Sequence, residues 1–81
     1  MQLDIYRRSE PDHKLSYLAV PAGKPIPDEA TNVEWLEEAR ALDLDEDSPD
    51  LEGYAIESAG QQILEKGYAI TSVEHQVEAG S

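Results

Sequence analysis

The 81-residue chain has no cysteine, and this absence excludes several kinds of chemistry. A chain without thiols has no disulfide bond, thiolate nucleophile, zinc–thiolate site or iron–sulfur cluster. Phenylalanine is absent too, and the aromatic side chains are one tryptophan and four tyrosines. A chain this short buries only about 60–65% of its unfolded surface, so its core is small and must be stabilised by packing alone.

Long apolar runs and catalytic motifs are also missing from the sequence. No segment approaches the roughly 18 apolar residues of a membrane span, and the N-terminus does not have the charged and then apolar pattern of a signal peptide. We therefore expect a cytoplasmic protein that does not bind membranes. No phosphate loop, dinucleotide fingerprint, nucleophile elbow or paired-histidine motif is present. His75 beside Glu74 is a weak acid–base pair, and we expect no enzyme activity, catalytic residue or cofactor.

Basic residues are few, with six Lys and Arg against 18 Asp and Glu and a net charge of −12. The imbalance lies in the middle of the chain, where the segment from Asp28 to Glu52 contributes −10 and has one base, Arg40. Such a field repels nucleic acid and attracts basic surfaces. We expect no direct nucleic-acid binding, and we predict a partner surface made of Glu34, Glu37, Glu38, Asp43, Asp45, Glu46, Asp47 and Asp50.

Part of this acidic run resembles the start of a calcium-binding loop, in which alternate carboxylates face one ion. With Asp43 at the first position, the glycine needed at position 6 is Ser48 and the glutamate needed at position 12 is Tyr54. The pattern fails, and we assign no metal ligand. The same carboxylates can also imitate the phosphate spacing of DNA, which makes a DNA-mimic inhibitor an alternative function.

Two alternating segments at the N-terminus predict an antiparallel β-hairpin. Residues 2–8 and 14–20 carry apolar side chains at every second position, which is the period of a half-buried strand. The polar segment 9–13 is long enough for a hairpin loop and too short for a crossover. Proline or glycine at every second position over 21–27 then predicts an extended loop, because proline cannot donate to a central strand.

Residues 33–42 fit either a helix or a strand. Asn32 is a suitable N-cap, and apolar residues recur from Trp35 at i, i+4 and i+7, which favours a helix. Loose alternation from Ala39 onwards favours a strand instead, and tertiary context often overrides propensity. The following residues 43–53 are predicted to form an acidic loop.

The last third of the chain contains the stronger helix signal. Ser58 followed by Gln61 is a capping-box pattern, which predicts a helix over 59–66. Gly67 suits the left-handed position that ends such a helix. Residues 68–73 are rich in β-forming residues and predict a final strand.

These elements predict a single α+β domain over residues 1–73, followed by a frayed tail at 74–81. The expected architecture is a small three-stranded, mostly antiparallel sheet with one or two helices packed on one face. Its core is expected to contain the following apolar and aromatic residues: Leu3, Ile5, Leu15, Tyr17, Leu18, Val20, Trp35, Ile56, Ile63, Leu64, Tyr68 and Ile70.

Three segments resemble those of a family of short, uncharacterised bacterial proteins, a domain of unknown function. They are LDIYRR from Leu3, YLAVPAGKPIPDEATN from Tyr17 and EKGYAITSV from Glu65. The resemblance covers residues 2 to 73 and brings no activity, ligand or catalytic residue with it. It implies a free-standing bacterial domain.

The function expected from these observations is non-catalytic, because a chain too small for an enclosed pocket acts most readily through its surface. We predict a protein-binding module whose acidic face, from Asp28 to Glu52, contacts a basic protein. A small sheet also has two edges, so a homodimer formed by strand pairing is the structural alternative. An acidic contact weakens with salt, whereas strand pairing over an apolar patch hardly responds to it.

Overall fold

The computed structural model describes residues 1–30, 34–72 and 76–78 of the chain. It contains one α-helix, two short 3₁₀ turns and five strands within these residues. In chain order the elements are β1 (Gln2–Glu10), a turn (Pro11–His13), β2 (Lys14–Pro21), a turn (Asp28–Ala30), β3 (Leu36–Asp43), α1 (Ala59–Lys66), β4 (Ala69–Ile70) and β5 (Val77–Glu78).

All the described strands belong to one antiparallel sheet. Its main path runs β3-β1-β2-β4, and β5 also pairs with β2, opposite Lys14 and Leu15. The prediction of a three-stranded sheet was therefore wrong, because β3 adds a strand beside β1 and β5 adds another beside β2. The predicted last strand over 68–73 is reduced to the two residues of β4, and Val73 lies outside the described residues. No helix in the described part of the chain is long and apolar enough to cross a membrane.

The hairpin of β1 and β2 is present as predicted, and it forms the centre of the sheet. The two strands pair in unbroken register from Leu3 opposite Pro21 to Glu10 opposite Lys14. Alternate side chains of β2 lie on opposite faces of the sheet, and buried residues occur on both faces. The hairpin thus supplies the central layer of the fold.

The segment that fitted either a helix or a strand forms the edge strand β3, so of the two alternatives for 33–42 the strand was correct and the second helix was wrong. Its proposed cap, Asn32, lies outside the described residues. Leu3 pairs with Leu42 and Ile5 pairs with Ala39, which places one extra residue in β3 at a bulge. This extra residue turns Ala39 and Leu42 to the same side although they are three positions apart, and that spacing resembles a helical one.

The main core lies between the sheet and the polypeptide after β3. Leu3, Ile5 and Ala19 of the hairpin pack with residues from the later part of the chain, namely Leu51, Ile56, Ala59 and Ala69. Five predicted core residues are fully buried: Leu3, Ile5, Leu18, Val20 and Ile56. Six more are half-buried: Leu15, Tyr17, Trp35, Ile63, Tyr68 and Ile70.

The prediction that Leu64 belongs to the core was wrong, since this residue is 83% exposed. Helix α1 has only two turns and places Ala59 and Ile63, four positions apart, toward the core. Leu64 follows Ile63 by about 100° around the helix and therefore faces outward.

The two ends of α1 differ in how well the sequence predicts them. Gly67 ends the helix as expected, with φ 87° and its N–H donating to the Ile63 carbonyl at 2.8 Å. Ser58 has φ 52° and ψ 43° and makes no side-chain cap, so the capping-box prediction was wrong. A capping serine needs extended backbone for its oxygen to reach the first amides, and Ser58 has left-handed backbone instead.

Candidate functional site

The eight carboxylates predicted as one partner surface fall into two groups. Glu34 precedes β3, and Glu37 and Glu38 lie on it. The other five follow along the end of β3 and the loop after it: Asp43, Asp45, Glu46, Asp47 and Asp50. We call residues 44–52 the acidic loop. Glu46, Asp47 and Asp50 line depressions at this loop, whereas Glu34 lines a different depression with Arg8, Ser9 and Leu36.

Arginine side chains partly neutralise the carboxylates on β3. Arg40 Nε donates to Glu37 Oε1 at 2.8 Å, and Arg7 Nη1 lies 3.5 Å from Glu38 Oε1. The hydrogen bond with Glu37, followed by the attraction of its charge, raises the pKa of Arg40. This half of the predicted surface is therefore less negative than its sequence indicates.

Asp4 is a buried carboxylate that connects three segments of the chain. Its side chain is only 3% exposed and lies 3.6 Å from Arg40 Nη1. It accepts the Ala41 N–H at 2.8 Å and the Gly23 N–H at 3.1 Å. These hydrogen bonds, that from Ala41 first, lower the pKa of Asp4. Asp4 thus stabilises the bulge of β3, where Ala41 has φ 51°, and we assign it a structural role.

Tyr54 lies beside the core at the end of the acidic loop. Its ring meets the Tyr17 ring edge to face, with centroids 5.1 Å apart and an interplanar angle of 75°. Burial is the main cause of a raised Tyr54 pKa, and the nearby charge of Glu38 adds to it. The hydroxyl therefore loses its proton at a higher pH than an exposed tyrosine does.

The acidic loop is stabilised by hydrogen bonds among its own residues. The Asp47 N–H donates to Asp45 Oδ1 at 2.9 Å, and the Asp45 N–H donates to Glu52 Oε2 at 2.6 Å. The Glu52 N–H in turn donates to Ser48 Oγ at 2.8 Å. Leu51 is fully buried and joins the loop to the core. The loop therefore presents its charges from a defined backbone.

The amino group of Met1 lies within the same acidic region. It donates to the Leu44 carbonyl at 2.9 Å, to Glu46 Oε1 at 3.2 Å and to Asp43 Oδ1 at 3.4 Å. The hydrogen bond to Glu46 is the main cause of the raised pKa of this amino group. The acidic loop thus has the geometry to hold a cationic nitrogen.

Three depressions with shared lining residues lie around the acidic loop and the start of α1, and we call them together the acidic trough. The middle one has a volume of about 550 Å³ and is lined by Glu46, Asp47, Ser48, Pro49, Glu57, Ser58, Gly60 and Gln61. A second, of about 350 Å³, shares four of these residues and adds Met1, Ile63 and Leu64. A third, of about 340 Å³, shares Pro49 and Glu57 and adds Asp50, Gly53 and Ala55.

Gly60 allows the acidic loop to approach α1 closely. Its N–H donates to the Glu46 carbonyl at 3.0 Å. A Cβ atom at this position would lie 3.3 Å from Asp47 Oδ1 and from the Glu46 carbonyl oxygen, which is tighter than ordinary contact. The absence of a side chain at Gly60 therefore lets the acidic loop and α1, the two walls of the trough, lie in contact.

The chemistry available in the trough is that of carboxylates at the edge of an open depression. Its lining, as far as the structure describes it, contains no Lys, Arg or His side chain. In residues 1–30, 34–72 and 76–78, no three His, Asp or Glu side chains gather to hold a metal ion. His13 lies in the hairpin turn, and His75 and Glu74 lie outside the described residues. The arrangement is suited to attracting cations.

A comparison with known proteins identifies the family of the chain without assigning an activity. A family profile described as a family of unknown function, DUF6139, matches residues 1–77. No curated protein and no solved structure matches the chain. The match confirms the predicted resemblance to a domain of unknown function. Because it covers nearly the whole chain, the protein belongs to the DUF6139 family.

Proposed function

We propose that the chain is a non-catalytic protein-binding module that contacts a basic protein through the acidic trough. One observation carries this proposal. Glu46, Asp47 and Glu57 line the same depression, whose described lining contains no Lys or Arg. A concave surface with charges of one sign concentrates the field and attracts groups of opposite charge.

The proposed surface is smaller than the segment from Asp28 to Glu52 that the sequence indicates. Glu37 and Glu38 lie within reach of Arg40 and Arg7, whereas the acidic loop carries five carboxylates beside the single positive charge of the Met1 amino group. β3 therefore offers a basic partner a weaker field than the acidic loop does. We therefore assign the contact to the acidic loop and the start of α1.

Strand pairing between two copies through β3 is disfavoured by the side chains and the backbone of that strand. β3 is the outer strand of the main sheet path, and it carries Glu37, Glu38 and Arg40 together with a bulge. Charged side chains and bulges are devices by which proteins prevent pairing at sheet edges. These features favour a different partner over a second copy of the chain. The cytoplasmic location and the bacterial origin inferred from the sequence remain predictions.

A charge-matched pair of variants tests the proposal. Binding of a fluorescein-labelled decalysine peptide is measured by fluorescence anisotropy at about 10 mM and 150 mM salt, where the screening length falls from roughly 30 to 8 Å. The trough variant is Asp47→Asn with Asp50→Asn. The control is Glu34→Gln with Glu37→Gln, which removes the same charge near β3.

We expect the trough variant to bind decalysine about 3- to 10-fold more weakly than the unaltered chain at 10 mM salt, because exposed ion pairs each contribute about 0.2–1 kcal/mol. The control should change affinity by less than about twofold. Equal weakening by both variants would show that binding follows net charge alone, and would refute the assignment to the trough.

A further inference from the structure

One end of the acidic trough is apolar. Three large apolar residues are exposed in the described part of the chain, namely Met1 (46%), Leu36 (53%) and Leu64 (83%). Met1 and Leu64 line the same depression, together with half-buried Ile63. A single exposed leucine is ordinary on a protein surface, but here two exposed apolar side chains share one concave site.

The same depression also carries negative charge. Glu46 and Asp47 line both the apolar end and the middle of the trough. The amino group of Met1 is held by Leu44 and Glu46, which fixes the start of the chain at this end. An aliphatic surface is therefore placed directly beside a row of carboxylates.

We propose that the trough binds a basic peptide segment of a partner protein that carries one aliphatic anchor residue. The anchor contacts Leu64 and Met1, and the flanking Lys or Arg side chains follow Glu46, Asp47 and Glu57 along the trough. This inference rests on the proposed function, because it specifies the chemistry of the partner at the same site. Apolar anchors surrounded by complementary charge are typical of specific interfaces.

Charge argues against a second copy of this chain as the occupant. Each copy has a net charge of −12, and two acidic surfaces brought together repel each other. A cationic segment is instead attracted by the net negative charge of the trough. The exposed apolar patch supplies a contact that salt does not screen, so it adds specificity to an otherwise general attraction.

The test uses two labelled peptides and three proteins. Each peptide has seven residues. The residue at position 3 is either leucine or serine, and the other six are lysines. The proteins are the unaltered chain, Leu64→Ser and a control, Leu36→Ser, which alters an exposed leucine in a depression lined by Arg8, Ser9 and Glu34. Affinities are measured by fluorescence anisotropy at 150 mM salt, and thermal unfolding checks that both variants fold.

We expect the unaltered chain to bind the leucine peptide about fivefold more tightly than the serine peptide, the effect of partly burying one leucine side chain. Leu64→Ser should remove this preference, and Leu36→Ser should retain it. A preference that persists in Leu64→Ser would overturn the inference.

The outcomes also separate this inference from the proposed function. Equal binding of the two peptides to the unaltered chain, with weakening of both by Asp47→Asn and Asp50→Asn, overturns the apolar anchor and leaves the acidic contact in place. If those two trough substitutions weaken neither peptide, both the inference and the proposed function are wrong.

Discussion

Replacement of Asp4 by alanine tests how the sheet is held together. The substitution removes the acceptor of two backbone N–H groups, those of Ala41 and Gly23. Each buried N–H left without a partner costs about 1–3 kcal/mol, so we expect Asp4→Ala to lower the free energy of unfolding by about 2–6 kcal/mol. A chain of this length has a total stability of only about 4–12 kcal/mol. A loss of about 6 kcal/mol would therefore unfold a chain at the lower end of that stability range.

A milder variant keeps the effect measurable if Asp4→Ala does not fold. Asp4→Asn retains one acceptor oxygen, places an amide NH₂ against the other backbone donor and removes the charge beside Arg40. We expect a loss of about 1–3 kcal/mol. Thermal unfolding followed by circular dichroism measures it, since 1 kcal/mol shifts the Tm of a domain this small by about 4–8 °C. The control is Asp50→Asn, an exposed aspartate, which should change stability by less than about 0.5 kcal/mol.

The pH dependence of stability provides a second measurement for Asp4. Its hydrogen bonds lower its pKa in the folded protein below the ordinary value of 3.8. The folded protein therefore binds this proton less readily than the unfolded chain does, and the stabilisation is present above about pH 3.8 and is lost as the pH falls through the folded pKa. The difference in stability between the unaltered chain and Asp4→Asn should shrink over that range. A difference below about 0.5 kcal/mol near pH 7 would refute the role given to Asp4.

Two further predictions concern Tyr54 and Gly67. Burial and then the charge of Glu38 raise the Tyr54 pKa, so Glu38→Gln should lower the midpoint of the Tyr54 titration, followed by absorbance at 295 nm. Tyr54→Phe identifies the signal of this tyrosine. An unchanged midpoint in Glu38→Gln would exclude the charge effect. Gly67 has φ 87°, and Gly67→Ala should therefore lower stability by about 1 kcal/mol in urea unfolding, whereas Gly67→Asn, which tolerates this backbone, should lower it less.

Local patterns predicted the elements that depend on near neighbours. The alternation of residues 2–8 and 14–20 identified the hairpin, and Gly67 identified the end of α1, because turn and cap geometry are decided within a few residues. The bulge of β3 could not be predicted, since it depends on pairing with β1 and on Asp4, which is 37 positions from Ala41 in the chain.

The candidate site, like the fold, has features that the sequence predicts and features that depend on packing between distant segments. Composition identified the acidic segment, but the cancellation of Glu38 by Arg7 depends on β3 lying beside β1. Leu64 has an apolar side chain of the kind usually found in a core, and only the orientation of α1 shows that it faces outward. The contact between Gly60 and Glu46 joins two elements whose packing no local pattern reveals.

The burial of Leu51 has a consequence for the energetics of binding. Because the acidic loop is joined to the core and bonded internally, its backbone is ordered when the chain folds. Fixing the backbone of one residue costs about 1–2 kcal/mol of conformational entropy. This entropy is lost when the chain folds and not when a ligand binds. A ligand therefore contacts a loop whose backbone is already ordered, and more of the contact energy is retained as affinity.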